Sequence, residues 1–180
     1  MNISIFTLNK ENLNTRKILN ILDYKKSYIF DACFWASKYA QYSELTQKHG
    51  SIFICDDMVI TGYNHYEVCK KKPCVSIHAE EDAINNFIIK HQMKGYDDNY
   101  IRRKLRKSVL LTVRVKNNNL RMSAPCRDCL ALIKFYGIKQ IIFSIDEKDK
   151  VLSLKTKDMA YNRPSSGQRW LSTTKLANIN

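Results

Sequence analysis

The sequence HAEEDAI at residues 78–84 and the sequence PCRDC at residues 125–129 decide how this chain of 180 residues is expected to fold. Each stretch stands at the predicted start of a helix, the first running from about Ile77 to Gln92 and the second from Pro125 to Tyr136. Acidic residues suit the positive end of a helix dipole, and proline suits a first turn. Two helices packed side by side on a sheet can bring these distant stretches together, whereas no local loop can.

The two stretches supply one imidazole and two thiols, from His78, Cys126 and Cys129. Cysteines three positions apart at the start of a helix project to one side, and the helix N-terminus favours the thiolate that a metal requires. One His and two Cys ligands suit Zn²⁺ and leave its fourth tetrahedral position open, whereas a structural site normally has four protein ligands. The pattern therefore predicts a catalytic zinc centre. Glu80, two positions after the histidine, is close enough to carry protons there.

The pattern H-x-E…P-C-x-x-C is the signature of zinc-dependent nucleobase deaminases, and the chain resembles the cytidine/deoxycytidylate deaminase superfamily. The resemblance implies hydrolysis of a cytosine base to uracil and ammonia, with Glu80 as proton carrier and Zn²⁺ as cofactor. It also implies substrate contacts at Asn64, whose amide would bind a sugar hydroxyl, and at Ala79. A turn residue is the other interpretation of Asn64. The stretch at 78–84 is closest to that of deoxycytidylate deaminases, although Asp82 stands where they have asparagine.

The fold implied by the resemblance is a three-layer α/β/α sandwich with a mixed sheet, as in cytidine deaminases. The order of predicted elements agrees with an α/β class. Besides the two helices above, the pattern predicts helices over Thr15–Leu22 and Tyr28–Gln47 and strands over Ser51–Cys55, Met58–Thr61, Val109–Val115 and Ile138–Ile145. Val151–Leu154 fits either a strand or a helix.

Small and polar residues mark the predicted boundaries of these elements. Ser76 is the expected N-cap of the helix that carries His78, and His49-Gly50 the expected end of the helix over Tyr28–Gln47. Gly137 ends the helix that follows Pro125, and Asp56-Asp57 joins two strands into a hairpin. We predict an N-terminal extension over residues 1–27, a deaminase domain over residues 28–146 and a basic C-terminal extension over residues 147–180.

The net charge of +13 predicts contact with polyanions. Five of the cations lie close together in a predicted insertion, Lys90–Lys107, near Tyr96 and Tyr100; they are Arg102, Arg103, Lys104, Arg106 and Lys107. Three interpretations stay open: a solvated face, part of the phosphate pocket for a mononucleotide, or a surface for a nucleic-acid backbone with tyrosines that stack on bases.

The remaining cysteines give weaker indications. His65, Cys69 and Cys74 could form a second zinc site, but three ligands at irregular spacing favour ordinary thiols. Cys33 and Cys55 are expected in the core. No apolar run is long enough for a membrane span or a signal peptide, so a cytoplasmic or nuclear location is expected, with reduced cysteines.

The leading hypothesis is a zinc-dependent deaminase of a free nucleotide or nucleoside, with deoxycytidine monophosphate (dCMP) favoured, and the resemblance implies a homo-oligomer. A second hypothesis is an enzyme that edits cytosine or adenine in DNA or RNA, for which the basic insertion is the argument. A third is a basic nucleic-acid-binding or architectural protein on a deaminase scaffold. The intact Glu80 and zinc ligands count against the third, because a scaffold needs no proton carrier.

Overall fold

A computed structural model describes residues 17–20, 28–55, 58–66, 76–159 and 163–165. Within these residues the helices are α1 (Tyr28–Ala40), α2 (Ala79–Gln92), α3 (Asp98–Leu105) and α4 (Arg127–Tyr136). The strands are β1 (Lys17–Asn20), β2 (Lys48–Cys55), β3 (Met58–Tyr63), β4 (His65–Tyr66), β5 (Ser76–Ile77), β6 (Val109–Lys116), β7 (Asn119–Arg121), β8 (Gln140–Ser144) and β9 (Lys150–Lys155). No helix among the described residues is long and apolar enough to span a membrane.

Seven strands form one mixed sheet in the order β1-β9-β8-β6-β2-β3, with β7 paired to β6. β6 and β8 run parallel and are connected through α4, while the other pairs are antiparallel. α1 covers one face of the sheet through an apolar cluster of its own. A second cluster joins the opposite face to α2, α3 and α4. The structure thus confirms the predicted three-layer α/β/α sandwich with a mixed sheet.

Strand β6 shows how the sheet divides its side chains between the two layers. Leu111 and Val113 belong to the cluster under α1, whereas Leu110 belongs to the cluster under α2 and α4. Since neighbouring residues of a strand point to opposite faces, Thr112 and Arg114 face the layer of α2 and α4. The predicted hairpin is confirmed by the antiparallel pairing of β2 with β3; Asp56-Asp57 lies outside the described residues.

The predicted end of the first helix is wrong. α1 ends at Ala40, and His49-Gly50 lies inside β2. A Cβ atom on Gly50 would clash with the carbonyl oxygen of Ala36 and lie 2.8 Å from the backbone nitrogen of Ala40. Glycine is therefore required at position 50 because α1 approaches the sheet closely there. It does not serve as a helix C-cap.

The predicted helix over Thr15–Leu22 is also wrong. Lys17–Asn20 forms strand β1, which pairs antiparallel with β9. β9 itself takes the strand alternative that was open for Val151–Leu154. An unpaired sheet edge leaves backbone N–H and C=O groups without partners, and β1 satisfies those on the outer side of β9. Both predicted extensions thus contribute strands to the central sheet.

Gly62 gives the first testable prediction, because it lies where α2 approaches β3. A Cβ atom there would lie 2.7 Å from the carbonyl oxygen of Ala79 and 2.8 Å from Cα of Ala83. Gly62→Ala is therefore expected to lower the free energy of unfolding by about 1–3 kcal/mol or more, measured by denaturant titration. Thr61→Ala, which removes atoms from the neighbouring position, is the control. Equal stability of Gly62→Ala and the wild type would contradict this packing.

Candidate active site

Helix α2 begins one residue after His78, which takes the N-cap position in an extended conformation without a capping side-chain hydrogen bond. The prediction that Ser76 caps this helix is wrong, because Ser76 pairs with Tyr66 in a two-stranded ribbon. This pairing keeps residues 76–77 extended. The imidazole of His78 forms no capping hydrogen bond with the helix and remains available as a ligand. Glu80, Glu81 and Asp82 occupy the first turn of α2, where the helix dipole favours negative charge.

Helix α4 begins at Arg127, with Cys126 as its N-cap and Pro125 just before it. The Cys126 sulfur accepts a hydrogen bond from the backbone N–H of Cys129 at 3.5 Å. The approach to this cap is held by Ser123, whose hydroxyl donates to the carbonyl oxygen of Thr112 at 2.8 Å. At the other end of α4, Gly137 has the predicted left-handed C-cap conformation, with φ of 73°.

The structure brings the three predicted metal ligands together. Nδ1 of His78 lies 3.2 Å from Sγ of Cys129 and 3.5 Å from Sγ of Cys126, and the three atoms lie within 4.8 Å of one another. Nitrogen and sulfur ligands of a tetrahedral zinc ion, with bonds of about 2.0–2.3 Å, stand about 3.5 Å apart. The donor types and the distances of this cluster therefore both fit a zinc ion.

The three ligand groups shift one another's pKa. A hydrogen bond from Cys129 is the main reason that the pKa of the Cys126 thiol falls to about 4. The same bond, together with burial, raises the pKa of Cys129 above its ordinary value. The hydrogen bond to Cys126 is the main cause that raises the pKa of His78 to about 9. A metal binds thiolates and neutral imidazole, so zinc binding to these groups would be coupled to proton release.

Glu80 lies beside the cluster but is not one of its ligands. Only 5% of the residue is exposed, and burial raises the pKa of its carboxyl group, an effect that the nearby His78 opposes. The carboxyl also forms a hydrogen bond with the Cys129 side chain, which opposes the rise in the pKa of Glu80. A raised pKa suits a group that must take up a proton and release it near neutral pH. Glu81, one position on, is half-buried.

The two predicted substrate contacts have different surroundings. Ala79 is fully buried in the first turn of α2, against Gly62. Asn64 is also buried. Its Oδ1 accepts a hydrogen bond from the N–H of His49 at 2.7 Å, and its Nδ2 donates one to the carbonyl oxygen of Gln47 at 2.6 Å. These bonds connect the end of β3 to the start of β2. One N–H and one lone pair of the amide remain. Substrate binding by both residues stays a prediction.

Asp82, which departs from the asparagine of deoxycytidylate deaminases, connects α2 to β3. Its Oδ2 accepts from the backbone N–H of Tyr63 at 3.0 Å, and its Oδ1 accepts from the Nδ2 of Asn86 at 3.2 Å. Asn86 also donates to the carbonyl oxygen of Thr61 at 3.1 Å. The carboxylate therefore fixes the segment that leads into Asn64.

Sequence reasoning missed two residues on the sheet beneath the site. His49 and Arg114 are direct cross-strand neighbours on β2 and β6. Burial is the main cause that lowers the pKa of His49 to about 4, and the charges of Arg114 and His78 lower it further. Arg114 is half-buried, and its Nε finds no hydrogen-bond partner within the described segments. Arg114 could have been recognised from the sequence, because it is a single arginine within the apolar run of β6.

The predicted basic cluster lies at the other end of the sheet. Most of it belongs to α3, a helix that the sequence prediction did not contain; Asp97 caps this helix by accepting from the N–H of Tyr100 at 2.6 Å. Sγ of Cys55, at the end of β2, donates to the carbonyl oxygen of Lys104 in α3 at 3.4 Å. The start of α2, which carries His78, lies against Gly62, the partner of Ser51 near the beginning of β2. A helix rises about 1.5 Å per residue, so the length of α2 alone separates the two ends by about 20 Å. Any phosphate bound by α3 therefore belongs to a ligand or segment distant from the zinc ligands.

Of the other predictions about cysteines, those for Cys33 and Cys55 are confirmed and those for Cys69 and Cys74 are not tested. Cys33 and Cys55 are buried in the core, as predicted. Burial raises the pKa of the Cys33 thiol to about 12, which makes it unreactive near neutral pH. Cys69 and Cys74 lie outside the described residues, so a second zinc site with His65 has no structural description. Within the described part of the chain, the group at His78 is the cluster that could hold a metal ion.

Comparison with known proteins finds a matching family profile and several similar structures. The profile of the cytidine and deoxycytidylate deaminase zinc-binding region matches residues 23–145. Cytidine deaminase from Burkholderia pseudomallei has a TM-score of 0.52 at 15% identity, covering 72% of this chain and 93% of its own. Cytidine deaminase from Mycobacterium leprae gives 0.49 at 14% identity, covering 74% and 97%. The dCMP deaminase of cyanophage S-TIM5 gives 0.46 at 20% identity, covering 64% and 81%. No curated protein matches the sequence.

The first of these structures supports the fold, and the profile covers more than half of the chain. The profile includes both stretches from which the zinc centre was predicted, and the fold brings their three ligand atoms together. The chain is therefore a member of the cytidine and deoxycytidylate deaminase family of zinc-dependent hydrolases.

Proposed function

We propose that this protein hydrolyses the cytosine amine of a free pyrimidine nucleotide, with dCMP as the favoured substrate, and releases ammonia. The observation that carries the proposal is the cluster of His78, Cys126 and Cys129 with the buried Glu80 beside it. His78, Cys126 and Cys129 would hold the ion. A bound zinc ion would supply Lewis-acid chemistry that lowers the pKa of water toward neutrality.

The residues of the chain then have separate tasks. Glu80 would take a proton from the attacking water, deliver it to the ring nitrogen next to the amine-bearing carbon, and later protonate the amino group, which departs as ammonia. The carboxyl can do this because it is held next to the cluster without being a ligand. Asn64 and Asp82 hold the end of β3 that borders the site. Water adds at C4 of the ring, the C4–N bond breaks, and uracil and ammonia result.

The position of Arg114 favours a nucleotide over a nucleoside as the substrate. It lies on the sheet face that packs under α2 and α4, next to His49, and its charge acts on His49 together with those of His78 and Cys126. A half-buried guanidinium with an unpartnered Nε is suited to a phosphate, since arginine forms bidentate charge-assisted hydrogen bonds with that group. We assign the 5′-phosphate of the substrate to Arg114.

This assignment makes the second testable prediction. Arg114→Gln should raise the KM for dCMP by about 10- to 100-fold, because a hydrogen bond to a charged group contributes about 1.5–3 kcal/mol. The KM for deoxycytidine should stay the same, as measured by ammonia release from both substrates. Lys90→Gln, which removes an exposed cation at the far end of α2, is the control for net charge. An equal rise for both substrates would contradict the phosphate assignment.

The rival hypotheses remain distinguishable in the same assay. A panel of cytidine, deoxycytidine, CMP, dCMP and a cytosine-containing oligonucleotide separates an enzyme of free nucleotides from an editing enzyme. A scaffold without catalytic activity would release ammonia from none of them. The complete ligand set and Glu80 argue against that outcome. A homo-oligomer remains a prediction, which light scattering of the purified protein would test.

A further inference from the structure

The C-terminal end of α4 and the adjoining strands β8 and β9 border a groove of about 710 Å³ at the end of the sheet opposite to the zinc ligands. Its lining includes four lysines that come from three separate parts of the chain: Lys134, Lys139, Lys155 and Lys157. Gly137 and Thr156 also line it. Since α4 spans about 15 Å by its rise per residue, the groove is separate from the active site.

The groove concentrates positive charge. In the part of the chain that the structure describes, no acidic side chain lines the groove, and none of the four lysines forms an ion pair. Lys134 is fixed by donating to the carbonyl oxygen of Met159 at 3.2 Å. The C-terminal carbonyls of α4 add a partial negative charge, which four full positive charges outweigh. Cations that line one groove repel one another, and an anionic ligand would relieve that repulsion.

A buried hydroxyl in the lining is a second, independent indication of a ligand. Thr156 is only 4% exposed, and its Oγ1 has no hydrogen-bond partner among the described residues. Buried polar groups almost always have a partner, and an unpaired one destabilises the fold. An anionic oxygen in the groove is the kind of acceptor to which this hydroxyl could donate after a small movement.

An exposed aromatic ring, that of Phe135, follows the groove residue Lys134 on α4 without lining the groove itself. Phe135 is 63% exposed, and the guanidinium of Arg102 from α3 lies 4.9 Å from the centre of its ring. The side chain of Arg106, also from the predicted basic cluster, packs against Gly137. The basic cluster and the lysine groove therefore meet at the end of α4. Cations that follow a backbone, combined with an exposed aromatic face, are the features of a single-strand binding site.

We propose that this groove binds single-stranded nucleic acid, with phosphates held by the four lysines and a base stacked on Phe135. A single strand fits better than a duplex, because only an unpaired base offers its face to the ring. The site would act alongside deamination, and it does not depend on the reaction proposed above. Its distance from Glu80 leaves the active site open to a mononucleotide while the groove is filled.

The test uses the full-length protein and a fluorescent single-stranded oligonucleotide of about ten nucleotides, within the usual range of single-strand sites. Exchanging Lys139, Lys155 and Lys157 for serine should weaken binding and reduce the slope of log affinity against log salt by about 2, since each phosphate contact of a single strand contributes about 0.7. The matched control exchanges the exposed Lys38, Lys116 and Lys148 for serine, removing the same charge elsewhere.

Phe135→Ala provides the second readout, because the contribution of stacking to affinity does not depend on salt in the way that the contribution of phosphate contacts does. Its affinity should fall about 5- to 100-fold, as expected for loss of one base–aromatic contact, with an unchanged salt slope. The proposal is overturned if the groove variant binds no differently from the matched control, or if Phe135→Ala binds as the wild type does. Equal affinity for a duplex, or for inorganic polyphosphate of matched charge, would also overturn it, because the site would then select charge alone. Since binding is measured directly, failure of the deamination assay does not affect the result.

Discussion

Glu80→Gln is expected to retain its fold and its zinc and to lose at least about 10²–10⁴-fold in kcat, the contribution of one positioned acid–base group. The loss should reach or exceed the upper value, because the same carboxyl would serve several proton transfers in the proposed reaction. Glutamine keeps the shape of the side chain and cannot carry a proton. The measurements are ammonia release, zinc content and the thermal midpoint.

Glu81→Gln is the matched control, since it removes one carboxylate from the same turn of α2. The helix dipole makes a first-turn carboxylate stabilising by about 0.3–1 kcal/mol, so we expect a small change in stability and near-normal turnover. If Glu80→Gln kept wild-type turnover, or if Glu81→Gln lost as much, the proton carrier would have been assigned wrongly.

Removal of the zinc thiolates should have a comparably large effect on activity and a larger one on stability. Cys126→Ala and Cys129→Ala should each bind far less zinc and lose detectable deamination. A ligand that binds only the native state stabilises it by about 4 kcal/mol when its concentration is a thousand times the Kd. We therefore expect the thermal midpoint of both variants to fall to that of the chelator-treated wild type.

Cys33→Ala separates loss of the metal from loss of a buried thiol. Cys33 is a buried residue of α1, on the opposite face of the sheet from the cluster, so the variant should keep full zinc content while losing a small amount of packing. Unchanged zinc in either of the other two variants, measured by elemental analysis per protein chain, would exclude that cysteine as a ligand.

Local patterns in the sequence determined the features that depend on neighbouring residues. Spacing at i and i+3 placed Cys126 and Cys129 on one side of a helix start, and the freedom of Gly137 to adopt positive φ fixed the end of α4. The position of Glu80 next to His78 likewise follows from two residues in one helix start. These predictions needed no knowledge of which strands are neighbours.

Tertiary structure alone decided the features that depend on distant parts of the chain. Gly50 resembled a helix end but serves the close approach of α1, and Lys17–Asn20 became a strand because β9 offered a free edge. Arg114 joined the active-site face through the pairing of β6 with β2, whereas the basic α3 lay at the opposite end. The spacing of apolar residues indicates which face of its own helix or strand a residue occupies. Which element packs against that face depends on the whole fold.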